Sequence, residues 1–212
     1  MPFAAQLRDL LRFRESEVPA SFAKGEPLES VLDRHLLAVE WSADSDMVTS
    51  ILLLDGTTLH HGAGPRLPNA YRDAIDGSEI GPVAGSCGTA AFLGRPVYVS
   101  DIANDPLWAD YKDLALDHGL RACWSTPIRN PEDRLLGTFA IYHKRARSPT
   151  KEEIESIRTI TEHVARAIMW YRGSDYEEDS SAAVDEKAVR PALRLVSDSG
   201  VPCDPDVPTQ EL

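Results

Sequence analysis

The sequence lacks a long hydrophobic run, and no stretch approaches the roughly 20 consecutive apolar residues that a membrane-spanning helix needs. Residues 1–17 mix charged side chains into their apolar positions, which excludes a secretory signal peptide. Cysteine is scarce, with three residues, and no CxxC pair or His/Cys cluster has the spacing of a zinc site. These absences predict a cytoplasmic protein with free thiols, without a membrane segment and without a metal site.

Basic charge is also in short supply, since 22 Lys and Arg stand against 34 Asp and Glu, for a formal net charge of −12. An acidic chain repels phosphate backbones, which excludes nucleic acid as the main partner. Residues 174–212 alone carry a net charge of −7 and few aromatic side chains, so they cannot bury enough apolar surface to offset their ordering entropy. We therefore expect an N-terminal helix over 1–23, a folded domain over 24–172 and an acidic, disordered tail over 173–212.

The order of the hydrophobic patterns predicts an α+β domain. A β-branched run at 47–55, the Asp55-Gly56 turn and a second apolar run predict a β-hairpin. Strands that cluster in hairpins, with helices to one side, define this fold class. The remaining predictions are strands at 96–102, at 120–128 where Pro127 ends the strand, and at 135–145, and helices at 5–14, from Pro27, at 68–76, 105–119 and 148–172.

Three stretches carry a resemblance to a known family. They are GSCGTAA at 85–91, DPLWADYKDLALDHGLRACWSTPI at 105–128 and LLGTFAIYH at 135–143. Together they resemble the GAF family of sensory domains, above all those found upstream of bacterial histidine kinases and cyclic-dinucleotide enzymes. The resemblance, which covers about residues 24–172, implies a six-stranded antiparallel sheet. Helices from both ends of the domain would pack on one face, and the segment 80–118 would cover a ligand pocket on the other.

The resemblance places seven residues near that pocket. It leaves the cofactor or ligand unknown, because GAF domains bind cyclic nucleotides, bilins, haem, small metabolites or nothing known. We expect Trp108, Tyr111 and Trp124 to converge on one cavity beneath the Gly81–Gly88 loop, as in a largely apolar site with few polar groups. The candidate ligand-binding residues are Cys87, Thr89, Asp101, Trp108, Tyr111, Trp124 and Ser125.

Cys87 has three interpretations. One GAF branch reduces free methionine-R-sulfoxide and carries a similar Gly-x-Cys-Gly-Thr-Ala stretch, but its chemistry needs a resolving thiol, and no cysteine precedes Cys87 here. Bilin-binding members carry a cysteine beside a histidine, and no histidine adjoins Cys87. The small neighbouring residues favour a structural role, in which Cys87 is a small buried hydrophobe. The backbone amides of Gly88, Thr89 and Ala90 would then face the cavity from a helix N-terminus and favour an anionic or carbonyl group.

The sequence therefore predicts a non-catalytic sensory or regulatory module that binds a small molecule or a signalling partner. Its alternative is a free methionine-R-sulfoxide reductase that uses Cys87. Because no output domain is evident, the module would act in trans on a signalling protein or through its tail.

The terminal helices carry apolar stripes that fit two interpretations equally, a helix packed on its own sheet and a dimer helix. We expect a homodimer through these helices, which a charged residue at Val164 should split while the sheet stays folded. The stripe of the first helix is Leu7, Leu10 and Leu11, and that of the last helix is Ile154, Ile157, Thr161, Val164, Ile168 and Tyr171.

Overall fold

The computed structural model describes residues 2–43 and 47–185, with side chains for 6–43 and 47–173. The described residues form a six-stranded antiparallel sheet in the order β3-β2-β1-β6-β5-β4. Strands β1 to β6 span Met47–Asp55, Thr58–Ala63, Ser78–Glu79, Val97–Val99, Ala122–Arg129 and Leu135–His143. Helices α1 to α6 span Pro2–Ala23, Leu28–Ser42, Asn69–Ile75, Gly85–Leu93, Lys112–Asp117 and Lys151–Asp185, and a 3₁₀ turn spans Pro106–Trp108.

Two compact units divide the chain, residues 1–176 and 177–212, and the first contains the whole sheet. Helix α6 continues past Arg172, where the sequence pattern predicts its end, so the backbone over 173–185 is helical. The disorder predicted for 186–212 falls outside the described residues. Among the helices that the structure describes, none combines the length and the apolar character needed to cross a membrane.

The predicted hairpin forms at Asp55-Gly56. Asp55 pairs with Thr58, and Gly56 has a φ of +58°, in the left-handed region that glycine adopts at little cost. The helix predicted over 105–119 is instead two pieces, the 3₁₀ turn and α5. The Asp105 carboxylate accepts the N–H of Leu107 at 2.9 Å and caps the first piece. The predicted N-cap residue is therefore confirmed, whereas the prediction of one continuous helix is wrong.

Strand β5 runs through Pro127 to Arg129, so the prediction that Pro127 ends it is wrong. Strand β4 pairs with β5 only from Cys123 to Ser125, whereas Pro127 lies opposite Thr138 of β6. Beyond the end of β4, an N–H at position 127 has no strand partner on that side. Proline is therefore tolerated here in an otherwise paired strand.

The sheet separates two cores, because successive side chains of a strand point to opposite faces. The helix-side core packs α1, α2 and α6 against one face, and the cavity-side core packs the segment between β3 and β5 against the other. The helix-side core includes Leu11, Leu36, Ile51, Trp124, Phe139 and Val164. The cavity-side core includes Leu52, Tyr71, Cys87, Trp108, Cys123 and Tyr142.

The apolar stripes of the terminal helices are buried within this one chain. Leu11 of α1 and Val164 of α6 are each 0% exposed in the helix-side core. Glu15 joins the two helices through ion pairs with Arg166 and His163. A single copy therefore covers most of both stripes. Because Val164→Glu would place a charge in the core, we now expect it to unfold the domain and not only to split a dimer.

Candidate functional site

A cavity of about 40 Å³ lies between the sheet and the segment that follows β3. Tyr71, Trp108, Tyr111 and Tyr142 supply aromatic wall, and Cys87 lies on the side formed by α4. A buried water needs roughly 10–15 Å³ of such space, whereas sites for drug-sized ligands have roughly 300–1,000 Å³. In this conformation the cavity accommodates only a molecule of a few atoms.

Two glycines allow α4 to lie close to its neighbours. Helix α4 begins at Gly85, whose φ of +60° favours glycine. A Cβ at Gly88 would stand 2.6 Å from the Cβ of Ala84 and 3.2 Å from the carbonyl oxygen of Glu79. A larger residue at Gly88 would push α4 away from the loop, and one at Gly85 would have to adopt an unfavourable backbone conformation. The two glycines therefore help to set the shape of the cavity.

Trp108 lines the cavity and also begins a chain of hydrogen bonds that links the 3₁₀ turn, α4 and β5. Its Nε1–H donates to Ser86 Oγ at 3.0 Å, and Ser86 Oγ donates to the carbonyl oxygen of Cys123 at 3.1 Å. Trp108 is 4% exposed and Ser86 is 0% exposed, so water competes little for either bond. This chain of hydrogen bonds holds the 3₁₀ turn on α4 and α4 on β5.

Polar side chains of the sheet surround the Cys87 thiol. Cys87 Sγ lies 4.0 Å from Tyr142 Oη, and Tyr142 pairs across the strands with Cys123. Ser50 and Ser125 both pair with Ala140, which puts them in the neighbouring row of the same face. The hydroxyls of Ser50, Ser125 and Thr138 have no hydrogen-bond partner in the part of the chain that the structure describes. Of these, Ser125 and Thr138 are placed to donate to a charged sulfur at Cys87.

These neighbours change the acidity of the two buried thiols in opposite directions. The hydrogen bond from Cys123 is the largest cause that lowers the pKa of Cys87, and Ser125, Thr138 and Tyr142 lower it further, to about 7, against burial. Burial raises the pKa of Cys123 well above its usual range. The pair therefore ionises first at Cys87, while Cys123 keeps its proton and donates it.

Cys87, Trp108 and Tyr111 line the cavity, as the sequence predicts. Thr89 and Ser125 are buried beside it and do not form its wall. Thr89 Oγ1 accepts the N–H of Ala84 at 3.0 Å and closes the loop that precedes α4. Ser125 lies beneath α4, on the same face of β5 as Cys123.

Trp124 is a correction, because it lies on the opposite face of the sheet. It belongs to the helix-side core, and its Nε1–H donates to the carbonyl oxygen of Arg147 at 3.1 Å. The guanidinium carbon of Arg147 lies 4.9 Å from its ring centroid, and the His143 ring 4.5 Å away. Because Trp124 follows Cys123 in β5, the alternation of the strand that places Cys123 on the cavity side of the sheet turns Trp124 to the other side.

Asp101 and the Gly88 amide of α4, both predicted to lie at the ligand pocket, have hydrogen-bond partners within the protein instead. Asp101 accepts hydrogen bonds from Arg121 Nε and Asn104 Nδ2, both at 2.7 Å, and so ties the loop after β4 to the start of β5. The bond from Arg121 is the largest cause that holds the pKa of Asp101 at about 2. The Gly88 amide donates to the Ala84 carbonyl at 3.1 Å and is not available to a ligand. Asp101 is therefore structural, and the predicted anion site at Gly88 is absent.

Sequence reasoning missed Tyr71 and Tyr142, which form much of the cavity wall. Their rings meet edge to face with centroids 5.8 Å apart, and burial raises the pKa of each phenol well above its usual range. The alternation of LLGTFAIYH could have placed Tyr142 on one face with Thr138 and Ala140. Among the described residues, no group of three or more His, Cys, Asp or Glu side chains could hold a metal ion.

Comparison with known proteins agrees with this geometry. The GAF domain family matches residues 27–168. A methyl sulfide methyltransferase-associated sensor from Methanosarcina acetivorans is 34% identical over 170 residues, which make up 78% of this chain and 17% of the sensor. The chain thus spans about a sixth of the length of that relative.

Solved structures share the fold at low identity. A protein from Burkholderia vietnamiensis described as a GAF sensor has a TM-score of 0.61 and 21% identity, over 80% of this chain and 98% of the other. The free methionine-R-sulfoxide reductase from Neisseria meningitidis, in complex with its substrate, has a TM-score of 0.60 and 16% identity, over 81% and 93%. With a family match over 27–168 and a six-stranded sheet of the same fold, this chain belongs to the GAF domain family.

Proposed function

We propose that this GAF domain is a non-catalytic sensory module whose input is a small molecule in the cavity beneath α4 and the 3₁₀ turn. The observation that carries the proposal is a cavity walled by Tyr71, Trp108, Tyr111 and Tyr142 within the cavity-side core. The sensor named among its relatives and the GAF sensor fold support the same reading. The free thiols of Cys87 and Cys123 suit the reducing cytoplasm, where we place the protein.

The size of the cavity sets how a ligand would act. A molecule of a few atoms fits the space of about 40 Å³ as it stands. A larger ligand must displace the segment that carries Trp108, which breaks the hydrogen bond from Trp108 to Ser86 at 3.0 Å. Occupancy would therefore be coupled to the position of α4 on β5, where Ser86 holds the Cys123 carbonyl.

Strand β5 offers a physical route from the cavity to the last helix. Cys123 faces the cavity side, and the next residue, Trp124, packs on Arg147 on the other side. Arg147 in turn donates to both carboxylate oxygens of Glu153, at 2.7 and 2.8 Å, in the first turn of α6. A shift of β5 would therefore reach the start of α6 through three contacts.

The test is native mass spectrometry of freshly purified protein, followed by competition with candidate metabolites. We expect a retained small molecule, or a stoichiometric ligand from the screen, whose binding is weakened in Gly88→Ala, since the added Cβ closes in on Ala84 and Glu79. Gly56→Ala is the control, because an added Cβ there meets nothing within 4 Å although its φ is positive. Equal binding by both variants would overturn the proposed site.

The enzymatic alternative has a specific observation in its favour, a cavity cysteine with a pKa of about 7. The small cavity counts against it, because methionine sulfoxide exceeds a space of about 40 Å³. Incubation with free methionine-R-sulfoxide and a thiol reductant, followed by measurement of turnover, distinguishes the reductase from the sensory module. Turnover in the wild type that is lost in Cys87→Ser would replace the sensory proposal by the reductase.

The homodimer is a separate proposal and now concerns a different surface. With Leu11 and Val164 inside the core, α1 still exposes the ring of Phe13, at 56%. We propose that a second copy covers this ring. Sedimentation velocity should show a dimer that Phe13→Ser weakens, and a monomeric wild type at micromolar concentration would refute it.

A further inference from the structure

We propose that Cys87 and Cys123 form a peroxide-responsive dithiol, in which hydrogen peroxide enters the cavity and converts the two thiols into a disulfide between α4 and β5. This modification needs no reversible ligand, so it extends the proposed sensory function without depending on it. Two features of the described residues carry the inference: both thiols lie around Tyr142 where α4 packs on β5, and the thiol that faces the cavity has polar surroundings.

The two cysteines belong to the two elements that meet here, Cys87 to α4 and Cys123 to β5. Ser86, which precedes Cys87, donates to the carbonyl oxygen of Cys123 at 3.1 Å, so the first turn of α4 sits on β5 at this residue. Both thiols are free and belong to the cavity-side core. The Cys87 sulfur lies 4.0 Å from the phenol oxygen of Tyr142, which is the strand partner of Cys123. The Cys123 thiol also contributes to the lowered pKa of Cys87. A disulfide requires the two sulfurs to approach to about 2.05 Å.

Cys87 is the sulfur that peroxide would meet. It lies in the cavity wall and is 9% exposed, whereas Cys123 is behind it and 0% exposed. Ser125 and Thr138 bring hydroxyls with no other partner among the described residues, and Tyr142 adds a phenol at 4.0 Å. A buried hydroxyl without a partner costs stability, and donation to a thiolate at Cys87 would recover it. The surroundings therefore favour the nucleophilic form of this thiol.

The space selects the oxidant. Hydrogen peroxide has two heavy atoms, about the size of two water molecules, and at roughly 10–15 Å³ per water it fits the cavity. The cavity of about 40 Å³ is thus large enough for the smallest peroxide without any movement of the segment that carries Trp108.

The chemistry balances over two steps. The Cys87 thiolate attacks one peroxide oxygen, an S–O bond forms, the O–O bond breaks, and the leaving hydroxide takes up a proton to become water. Cys123 then gives up its proton, its sulfur attacks the Cys87 sulfur, the S–S bond forms, and the S–O bond breaks to release a second water. Two thiols and one peroxide yield one disulfide and two waters, and two electrons pass from sulfur to oxygen.

The first experiment uses the full chain with Cys203→Ser, which removes the one cysteine outside the described residues. Folded protein is treated with hydrogen peroxide near neutral pH, then denatured, alkylated and mapped by mass spectrometry. We expect a linked Cys87–Cys123 peptide pair, lighter by two hydrogens than the reduced pair. In Cys123→Ser the disulfide is lost and a dimedone-reactive sulfenic acid accumulates at Cys87. If serine at position 123 unfolds the domain, Cys123→Ala serves instead.

Two results would overturn the proposal. One is that both thiols stay reduced in the folded protein at a peroxide dose that oxidises a small free thiol. The other is that Cys123 is oxidised as readily in Cys87→Ser as in the parent. Neither result affects ligand binding in the native mass spectrum, so failure of the dithiol and failure of the sensory site are distinguishable.

A second experiment separates positioning by the hydroxyls from mere packing. Ser125→Ala should slow peroxide oxidation of Cys87 about tenfold at neutral pH, as loss of one hydrogen bond to a charged group implies, and should move the rate profile to higher pH. Thr126→Ala is the matched control, because Thr126 is the next residue of β5, on the opposite face, and also carries a hydroxyl without a partner among described residues. Equal slowing by both variants would contradict the role of Ser125.

Discussion

The two faces of the sheet are packed in different ways. On the helix side, large aliphatic and aromatic groups such as Ile51, Phe139 and Val164 are each 0% exposed and pack against three helices. On the cavity side, small residues such as Ala140 alternate with tyrosines beside the Cys87 thiol. One set of strands thus supports an apolar, closed face under the helices and an open face that borders the cavity with a thiol and phenols, and such cavities are where chemistry and binding concentrate.

The largest effect should come from placing a charge in the closed face. Val164→Glu puts a carboxylate at a site that is 0% exposed, and we expect a loss of more than about 4 kcal/mol, enough to unfold the domain. Ile154→Glu is the control on the same helix, at 40% exposed, and should change stability by at most about 0.5 kcal/mol. Urea unfolding followed by circular dichroism measures both. A folded Val164→Glu monomer would show that the closed face is more tolerant than its packing implies.

Substitution of Trp124 tests whether this residue of β5 belongs to the helix-side core or to the cavity. Trp124→Ala removes the ring that packs on Arg147 and His143, and we expect a cost of about 3–5 kcal/mol in the free energy of unfolding. Trp41→Ala, at 71% exposed, is the matched control and should cost at most about 0.5 kcal/mol. If Trp124→Ala kept full stability and lost only ligand binding, the residue would belong to the cavity after all.

On the open face, removal of a single donor should have a moderate effect. Trp108→Phe keeps an aromatic ring and removes the Nε1–H that donates to Ser86, at a cost of about 1 kcal/mol. Ser86→Ala breaks the same chain, so the double variant should destabilise by less than the sum of the two single changes. Additive effects in this double-mutant cycle would mean that the two hydrogen bonds do not act together.

The smallest expected effect is the contribution of Asp101 to stability, which should disappear at acidic pH. Hydrogen bonds from Arg121 lower the folded pKa of Asp101 to about 2, whereas an unfolded aspartate titrates near roughly 3.9. A lowered folded pKa stabilises the fold above the unfolded value, and that contribution disappears as the pH falls from about 4 to about 2. Asp101→Asn should therefore be less stable than the wild type at neutral pH and nearly equal to it at about pH 2. A constant difference across that range would refute the linkage.

The sequence predicts the antiparallel sheet, the hairpin at Asp55-Gly56 and the long last helix, because turn chemistry and periodicity are local signals. It does not predict β3, whose two residues are too few to show a period. The alternation of the sequence also shows that Cys123 and Trp124 point to opposite faces of the sheet, but not which of them lies on the cavity side. The side depends on which helices cover each face, and that is set by contacts between residues far apart in the chain.

Alternation along β5 also has a consequence for how this domain can diversify. Cys123 and Ser125 lie behind the cavity wall, where they affect the Cys87 thiol, whereas Trp124 packs in the helix-side core. Alternate residues of one strand are therefore under separate constraints. Substitutions at 123 and 125 could change the chemistry of the thiol while Trp124 keeps the helix-side core intact.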